Sequence, residues 1–483
     1  MHDMPFRSAT ELVGDIKSRR TTSRELLELY LSRVDRYNPA INAVIVQQRD
    51  AARARADEAD AALARGEDWG ALHGLPMTVK ESYDVCGLPT TFGQPDMRGN
   101  MATNNAVSIQ RLIDAGAVVF GKTNVPVDLA DFQSYNPIYG TTHNPWDHTR
   151  TPGGSSGGSA AALAAGLTGL EMGSDIGGSI RNPAHFCGLF GHKPSWDLVP
   201  SRGHSLGDVR TPVDIAVVGP LARSATDLEL VMRLVALPDE LESNGLRYPL
   251  PNLSKPVSAL RIGVWHSDPI CPPSQDVQDR VEWVASALAR AGAQVDPKAR
   301  PGFASGHSYN VFKQLLRAAM TSRMPQVAFD KLVARAKQLD PGDISERSQM
   351  LRHQTVSVHD WTDLNEQRAR LRWMWHEFFK THDFLITPIM PTSAFTHDHS
   401  NFGGRVVQVD GKPLPYFNQM FWAALSGVAL LPSTIIPTGP DAQGLPIGVQ
   451  IIGPMYGDLQ TIGLAQHLER MGFAFQAPPG VAG

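Results

Sequence analysis

Between Thr151 and Cys187 the chain reads TPGGSSGGSAAALAAGLTGLEMGSDIGGSIRNPAHFC. No other stretch restricts the fold as tightly. Glycine costs backbone entropy, so it is kept where no Cβ fits. Here Gly153-Gly154-Ser155-Ser156-Gly157-Gly158 and Gly177-Gly178-Ser179 each present serines beside unobstructed backbone. Ala160 to Ala165 between them is a strong helix former. Such a helix would hold the clusters at a fixed distance, with the first at its N-terminus. A Gly/Ser-rich run can also be a flexible linker. Linkers rarely alternate with core-like sequence, however, and these clusters flank an alanine-rich segment and the apolar Ile180, Phe186, Cys187, Leu189 and Phe190. The stretch reads as two loops whose N–H groups and hydroxyls converge on a ligand atom.

By length alone, 483 residues would allow about three domains. The net charge of −4 implies no nucleic-acid or acidic-membrane partner. Cys86, Cys187 and Cys271 are widely spaced and odd in number, which argues against a disulfide framework and for a reducing, cytoplasmic compartment. The opening MHDMPFRSATEL lacks the apolar core of a secretory signal. No run of about 20 apolar residues is present, so no membrane span is expected.

Ser8 with Glu11 and Thr22 with Glu25 fit capping boxes. The helix after Thr22 should stop near Asn38-Pro39, and Arg49 to Arg65 reads as a more exposed helix. Leu75 to Val79 is a short apolar run ending in Lys80. Val118-Val119-Phe120 reads as a strand, Asp363 to Lys380 as a helix and Phe384 to Thr387 as a strand. This alternation argues an α/β fold with helices over a sheet. The segments 237–256 and 395–415 read as surface excursions.

A serine hydroxyl is a weak nucleophile until something takes its proton. G-x-S-x-G matches at Gly153 to Gly157, but a nucleophile elbow needs a buried strand just before the serine. His148-Thr149-Arg150-Thr151-Pro152 is no such strand. Metal chemistry is poorly supported: His376-Glu377 begins an H-E-x-x-H whose last position is Lys380, and His397 and His399 read as solvated. The glycine-rich run lacks the lysine of a P-loop. Lysine remains as an activator, because burial disfavours its charged form. Lys80 closes an apolar run, although a lysine at a strand end is more often solvated.

The run Gly153 to Ser159 followed by Gly173-Ser174-Asp175-Ile176-Gly177-Gly178-Ser179-Ile180-Arg181 resembles the amidase signature family. The likeness extends upstream through Gly121-Lys122-Thr123-Asn124 and Asn144-Pro145-Trp146. Downstream it takes in Gly191-His192-Lys193-Pro194 and Gly444 to Gln450. It implies one α/β domain over 61–483, with a mixed sheet of about eleven strands covered by helices on both sides, and residues 1–60 as a helical segment packed on it. It implies a Ser–cisSer–Lys triad of Ser179 as nucleophile, Ser155 as bridging serine and Lys80 as base, with the Gly154–Ser155 bond cis. The backbone of Ile176, Gly177 and Gly178, with Ser179, would form the oxyanion hole. Ser156 matches a supporting hydroxyl, Asp175 and Arg181 a bracing ion pair, and Leu129 a residue facing the substrate; Lys122 and Lys193 take structural roles. No cofactor and no metal is implied.

Members of the family include free amidases and the glutamyl-tRNA amidotransferase A subunit, which works in a complex. Arg368 falls where that subunit has an arginine, but its binding acid has no counterpart, Met420 standing near that position. Phe417, Phe421 and Trp422, with Phe132 and Tyr135, suggest an apolar or aryl acyl pocket, the alternative being that these aromatics belong to the core. The expectation is a stand-alone amidase acting on a small amide and forming an acyl-enzyme on Ser179. A glutamine-dependent subunit, and esterase or carbamate hydrolysis at the same site, are the alternatives. Homodimerisation stays open.

Overall fold

The computed structural model describes residues 3–481. Both capping boxes form: the Glu11 N–H donates to Ser8 Oγ and the Ser8 N–H to Glu11, and Thr22 and Glu25 repeat the exchange. They open the helices Ala9–Lys17 and Ser23–Ile41. The second runs past Asn38-Pro39, where a stop was predicted. Pro39 lies in its last turn and gives up one intrahelical N–H bond, but the helix continues only two residues beyond it, and Asn42 ends it with φ at 54°. The third helix, Arg49–Ala64, buries only alanines and contains the domain boundary suggested near residue 60.

The architecture is mixed α/β, but the strands do not make one sheet. Eight form the large mixed sheet, in the spatial order Gln294–Asp296, Arg261–Val264, Phe384–Thr387, Pro446–Ile452, Ser433–Pro440, Phe190–Lys193, Val217–Ala222, Glu171–Asp175. A separate three-stranded sheet has the order Val44–Gln47, Val118–Thr123, Pro76–Lys80. The single sheet of about eleven strands is thus corrected to one of eight and one of three, meeting at a seam where Pro76–Lys80 lies beside the edge strand Glu171–Asp175. Side chains and loop groups replace the ladder along it. The Thr78 N–H donates to Thr168 Oγ1 at 2.8 Å, the Gly169 N–H to Pro76 O at 3.2 Å and the Thr78 hydroxyl to Glu171 Oε1 at 2.5 Å.

The two glycine loops lie at this seam. The first leads into the fully buried helix Gly157–Ala164. Alanine side chains let it sit in the core, and a Cβ on Gly158 would collide with the main chain of Asn124. The second joins Glu171–Asp175 to the helix Arg181–Cys187. Later in the chain, the helices Ser305–Thr321, Gln326–Ala336, Glu346–Gln354 and Val358–Thr381 make a helical excursion. The antiparallel ribbon Val406–Val409/Lys412–Pro415 follows it. That ribbon belongs to the segment 395–415 read as a surface excursion, yet Val407, Val409 and Leu414 are buried, because the segment roofs a cleft. Among the described residues no helix is long and apolar enough to cross a membrane.

Candidate active site

Lys80 ends a strand in which every residue is buried. Its Nζ donates across the seam to Ser155 Oγ at 2.7 Å, Ser156 Oγ at 2.9 Å and Ser174 Oγ at 2.9 Å. These oxygens hold all the protons of an ammonium and also suit a neutral amine, provided one hydroxyl turns to donate. Ser156 is poorly placed to do so: its hydroxyl donates to Ser174 O at 3.3 Å while accepting from the Ser174 N–H at 3.3 Å. Ser155 has no competing acceptor among the described residues. Burial pushes Lys80 down from the ordinary lysine range to about 7, against the charges of Asp175, Glu171 and Glu81, which favour the ammonium.

The Gly154–Ser155 peptide bond is cis. A side chain on Gly154 would collide with the Asp131 carbonyl, so this turn excludes a Cβ. The two glycine loops are tied directly: the Ser156 N–H donates to Ser179 O at 3.2 Å, the Gly154 N–H to Asn182 Oδ1 at 3.0 Å and the Asn182 N–H to Gly178 O at 2.6 Å.

Asp175 and Arg181 form an ion pair with no exposed side-chain surface, Nη2 meeting Oδ1 and Nε meeting Oδ2, both at 2.9 Å. Burial alone would raise Asp175, but the charge and hydrogen bonds of Arg181, with Lys193 and the Gly178 amide, outweigh it and hold the carboxyl at about 2. Arg181 Nη1 donates further to Ala423 O, Ser426 Oγ and Gln450 Oε1. The loop is thereby bolted to the helix Phe421–Val428 and the strand Pro446–Ile452.

One of the expected oxyanion donors is corrected. The Gly178 N–H donates to Asp175 Oδ1 at 2.8 Å, and the Ile180 N–H to Oδ2 at 3.1 Å, so both are engaged in holding the loop. The N–H groups of Ile176, Gly177 and Ser179 have no partner among the described residues.

A cleft of about 970 Å³ ends on Ser179, Ile176 and Gly177. Leu129, Phe132, Phe417 and Met420 line it, and the helical excursion adds Leu316, Met320 and Met350. Leu129 takes a positive φ of 58°. Phe421 and Trp422 are corrected: neither lines the cleft, and both are fully buried. Their rings pack against Trp265, and Trp422 Nε1 donates to Cys271 O at 3.0 Å, so they are core. Tyr135 also stands outside the cleft lining, stacked on His399, its hydroxyl accepting from Arg405. Among the described residues the one acid lining the cleft is Asp131, held by Arg405 at 2.8 Å and by the Tyr416 hydroxyl at 2.5 Å. Arg368 does not line the cleft; its guanidinium is bound to Asp214 and Asn365.

Lys122 and Lys193 are buried with carbonyl partners, Pro89 O and Pro194 O, and burial lowers them to about 8 and about 7. His397 Nε2 lies 3.2 Å from His143 Nδ1, and no cluster of metal-ligating side chains is found among the described residues. Ser174 and Asn182 had not been singled out from the sequence. Ser174 lies inside the motif and Asn182 directly follows it, and a polar residue flanking a glycine turn was the available signal.

A family model described as Amidase matches residues 25–462. The A subunit of glutamyl-tRNA(Gln) amidotransferase from Anaeromyxobacter sp. (strain K) is 32% identical over 492 residues, covering 97% of each chain. Among solved structures, a bacterial aryl acylamidase of the amidase signature family is similar with a TM-score of 0.83 and 25% identity, over 99% of both chains. A chain from a vestigial protein complex that bears on the origins of an s-triazine catabolic enzyme gives 0.82 and 30%, over 97% of this chain and 100% of that one.

Proposed function

The chain belongs to the amidase signature family of amide-hydrolysing enzymes, and on that premise we propose that it is a stand-alone amidase whose nucleophile is Ser179. Neutral Lys80 takes the proton of Ser155, and Ser155 takes that of Ser179. Ser179 Oγ attacks the amide carbonyl carbon. The resulting oxyanion rests against the N–H groups of Ile176, Gly177 and Ser179, each such donor contributing on the order of 10²–10³ in rate. Ser155 passes a proton to the departing nitrogen and is resupplied by Lys80. The amine leaves, and water releases the acyl group by the same relay in reverse. The 2.7 Å contact of the fully buried Lys80 amine with the Ser155 hydroxyl carries this reading.

The substrate we propose is a small amide with an apolar or aryl acyl group. The cleft wall supports it: Phe132, Phe417, Met420, Leu316, Met320 and Met350 line it together with Arg317 and Arg347, and Asp131 is bonded to Arg405. The alternative is an A-type amidotransferase subunit taking ammonia from glutamine, favoured by the identity to that subunit from Anaeromyxobacter. Against it, Arg368 is committed to Asp214, and Met420 Sδ lies 3.4 Å from where a side chain on Gly177 would begin. Esterase or carbamate hydrolysis would use the same acyl-enzyme. The test is the purified single chain on aryl, aliphatic and amino-acid amides, with amine or ammonia release measured. Turnover of aryl or apolar amides by this chain alone, abolished in Ser179→Ala, is expected. Release from glutamine alone, and only with a further subunit present, would overturn the proposal.

A further inference from the structure

Glu171 and Asp175 stand at opposite ends of one strand, both shut away from solvent. Their surroundings differ in kind. Asp175 has N–H donors on both oxygens and an arginine in contact. Glu171 has one bonded oxygen, Oε1, which accepts from the Thr78 hydroxyl at 2.5 Å, while Oε2 has no hydrogen-bond partner. The hydroxyls of Thr123 and Ser159 lie close by and are bonded to each other at 2.9 Å, which uses one of their two protons. No cation bonds to Glu171 among the described residues. A buried carboxylate with a bare oxygen and no counter-charge is much costlier than the neutral acid. Burial accordingly raises Glu171 to about 8, its hydroxyl neighbours opposing the rise.

Glu171 lies across the seam from the strand that carries Lys80. Thr78, to which it is bonded, precedes Lys80 by two residues and so shares its side of the strand. A negative charge on Glu171 would help keep the proton on Lys80. The other titratable groups around the pair are settled by their own partners or add to the burden. Glu81 is capped by the Thr91 N–H and hydroxyl and the Phe92 N–H. Asp175 is matched by Arg181, with Lys193 behind it. Tyr83 donates to Gly173 O. His204, against Tyr83 and bonded to Ser82, is driven down to about 3 by burial and by the charge of Lys80, and Lys122 lies beyond Glu81. Glu171 is the group here whose charge state is left to its own solvation.

We propose that Glu171 is a positioning residue kept as an uncharged carboxylic acid so that Lys80 is free to shed its proton, an inference that rests on Lys80 acting as the base. Two buried carboxyls on one strand then have opposite duties: the ionised one braces the oxyanion loop, and the neutral one protects the amine from recharging. Lys80 and Glu171 titrate as a pair, and the microstate with ammonium and carboxylate is the unproductive one.

The test is Glu171→Gln, which keeps the shape and can never be charged. At pH 7 its kcat/KM should stay within about twofold of the parent. The acid limb of the pH profile should stay in place, because Glu171 is already protonated where Lys80 titrates. Infrared spectra of the unmodified enzyme at pH 7 should contain a buried protonated-carboxyl C=O band that the variant lacks. Thr78→Val, which removes the donor to Oε1, should move that band to higher frequency, so the proposal can be read even if the glutamine variant folds poorly. An acid limb displaced to lower pH by a unit or more in Glu171→Gln, or no protonated-carboxyl band assignable to Glu171, would overturn it. The band is read without turnover, so failure of Lys80 as base, detected by an active Lys80→Met, stays distinguishable from failure of this assignment.

Discussion

Replacing Asp175 by asparagine should unsettle the whole oxyanion loop. The carboxylate accepts from the Gly178 and Ile180 amides and from Nε and Nη2 of Arg181, at 2.8–3.1 Å. Asparagine keeps the volume but leaves one accepting oxygen, and its amide hydrogens point at groups that are themselves donors. Arg181 retains its acceptors on Nη1 but loses its counter-charge in a site with no exposed surface. Breaking a buried pair from one side costs about 3–5 kcal/mol. Linkage gives a second figure. The Asp175 carboxyl is held at about 2, below the ordinary carboxylate value, so its ionisation contributes about 2 kcal/mol of stability. A depressed carboxyl contributes above its unfolded pKa and loses that contribution as pH falls towards its folded one. The deficit of the variant in urea unfolding should therefore be largest at neutral pH and shrink between about pH 4 and pH 2. In the same preparation kcat should fall on the order of 10²-fold, because the Gly177 and Ser179 amides lose the anchor that aims them. Unchanged unfolding midpoint and unchanged kcat would refute the reasoning, as would a deficit that is the same at pH 7 and pH 2.

Lys80→Met should lower kcat/KM by about 10³ or more with the circular dichroism spectrum retained. In the unmodified enzyme kcat/KM should rise through pH 7 as Lys80 loses its proton, and any residual activity of Lys80→Met should lack that limb; a limb common to both would exclude Lys80 as its source. Met420→Asp, which sets a charge beside Gly177 in the cleft wall, should cut kcat/KM for aryl amides by about tenfold or more and, because Met420 is buried, also lower the unfolding midpoint; equal turnover would mean that the wall does not contact the acyl group. Trp422→Ala should cost about 3–5 kcal/mol in urea unfolding without reordering substrate preference, whereas a changed preference at unchanged stability would return Trp422 to the pocket.

The parts of this molecule that could be read from the chain are those where chemistry is local. Ser8 and Glu11 satisfy each other within one helical turn, so their pattern is sufficient evidence. Gly154 and Gly158 announce close approach because each must abut another segment's backbone. The family likeness placed Lys80 against Ser155, residues that no local pattern links. What escaped was decided by competition between distant partners. The Gly178 amide looked available until Asp175, three residues earlier, claimed it. Phe421 and Trp422 carry the same aromatic signal as Phe417, and only packing against Trp265 separates core from cleft. The division of the strands into two sheets lay equally out of reach, since Pro76–Lys80 reads as a strand whether its neighbour is paired or merely adjacent. Glu171 had no signal at all, because a lone glutamate in an apolar run says nothing of what will be missing around it.

The roof over the cleft is made by residues 305–420, while the proposed proton relay is drawn from residues 80–182. Most of the wall and all of the proposed relay are thus written on separate lengths of chain, the earlier one adding Leu129 and Phe132 to the wall and tied to the later one through Asp131, Arg405 and Tyr416. Remodelling the later length would retarget the catalyst as changing the jaws of a tool leaves its motor alone, and the reverse exchange would leave a receptacle with no engine.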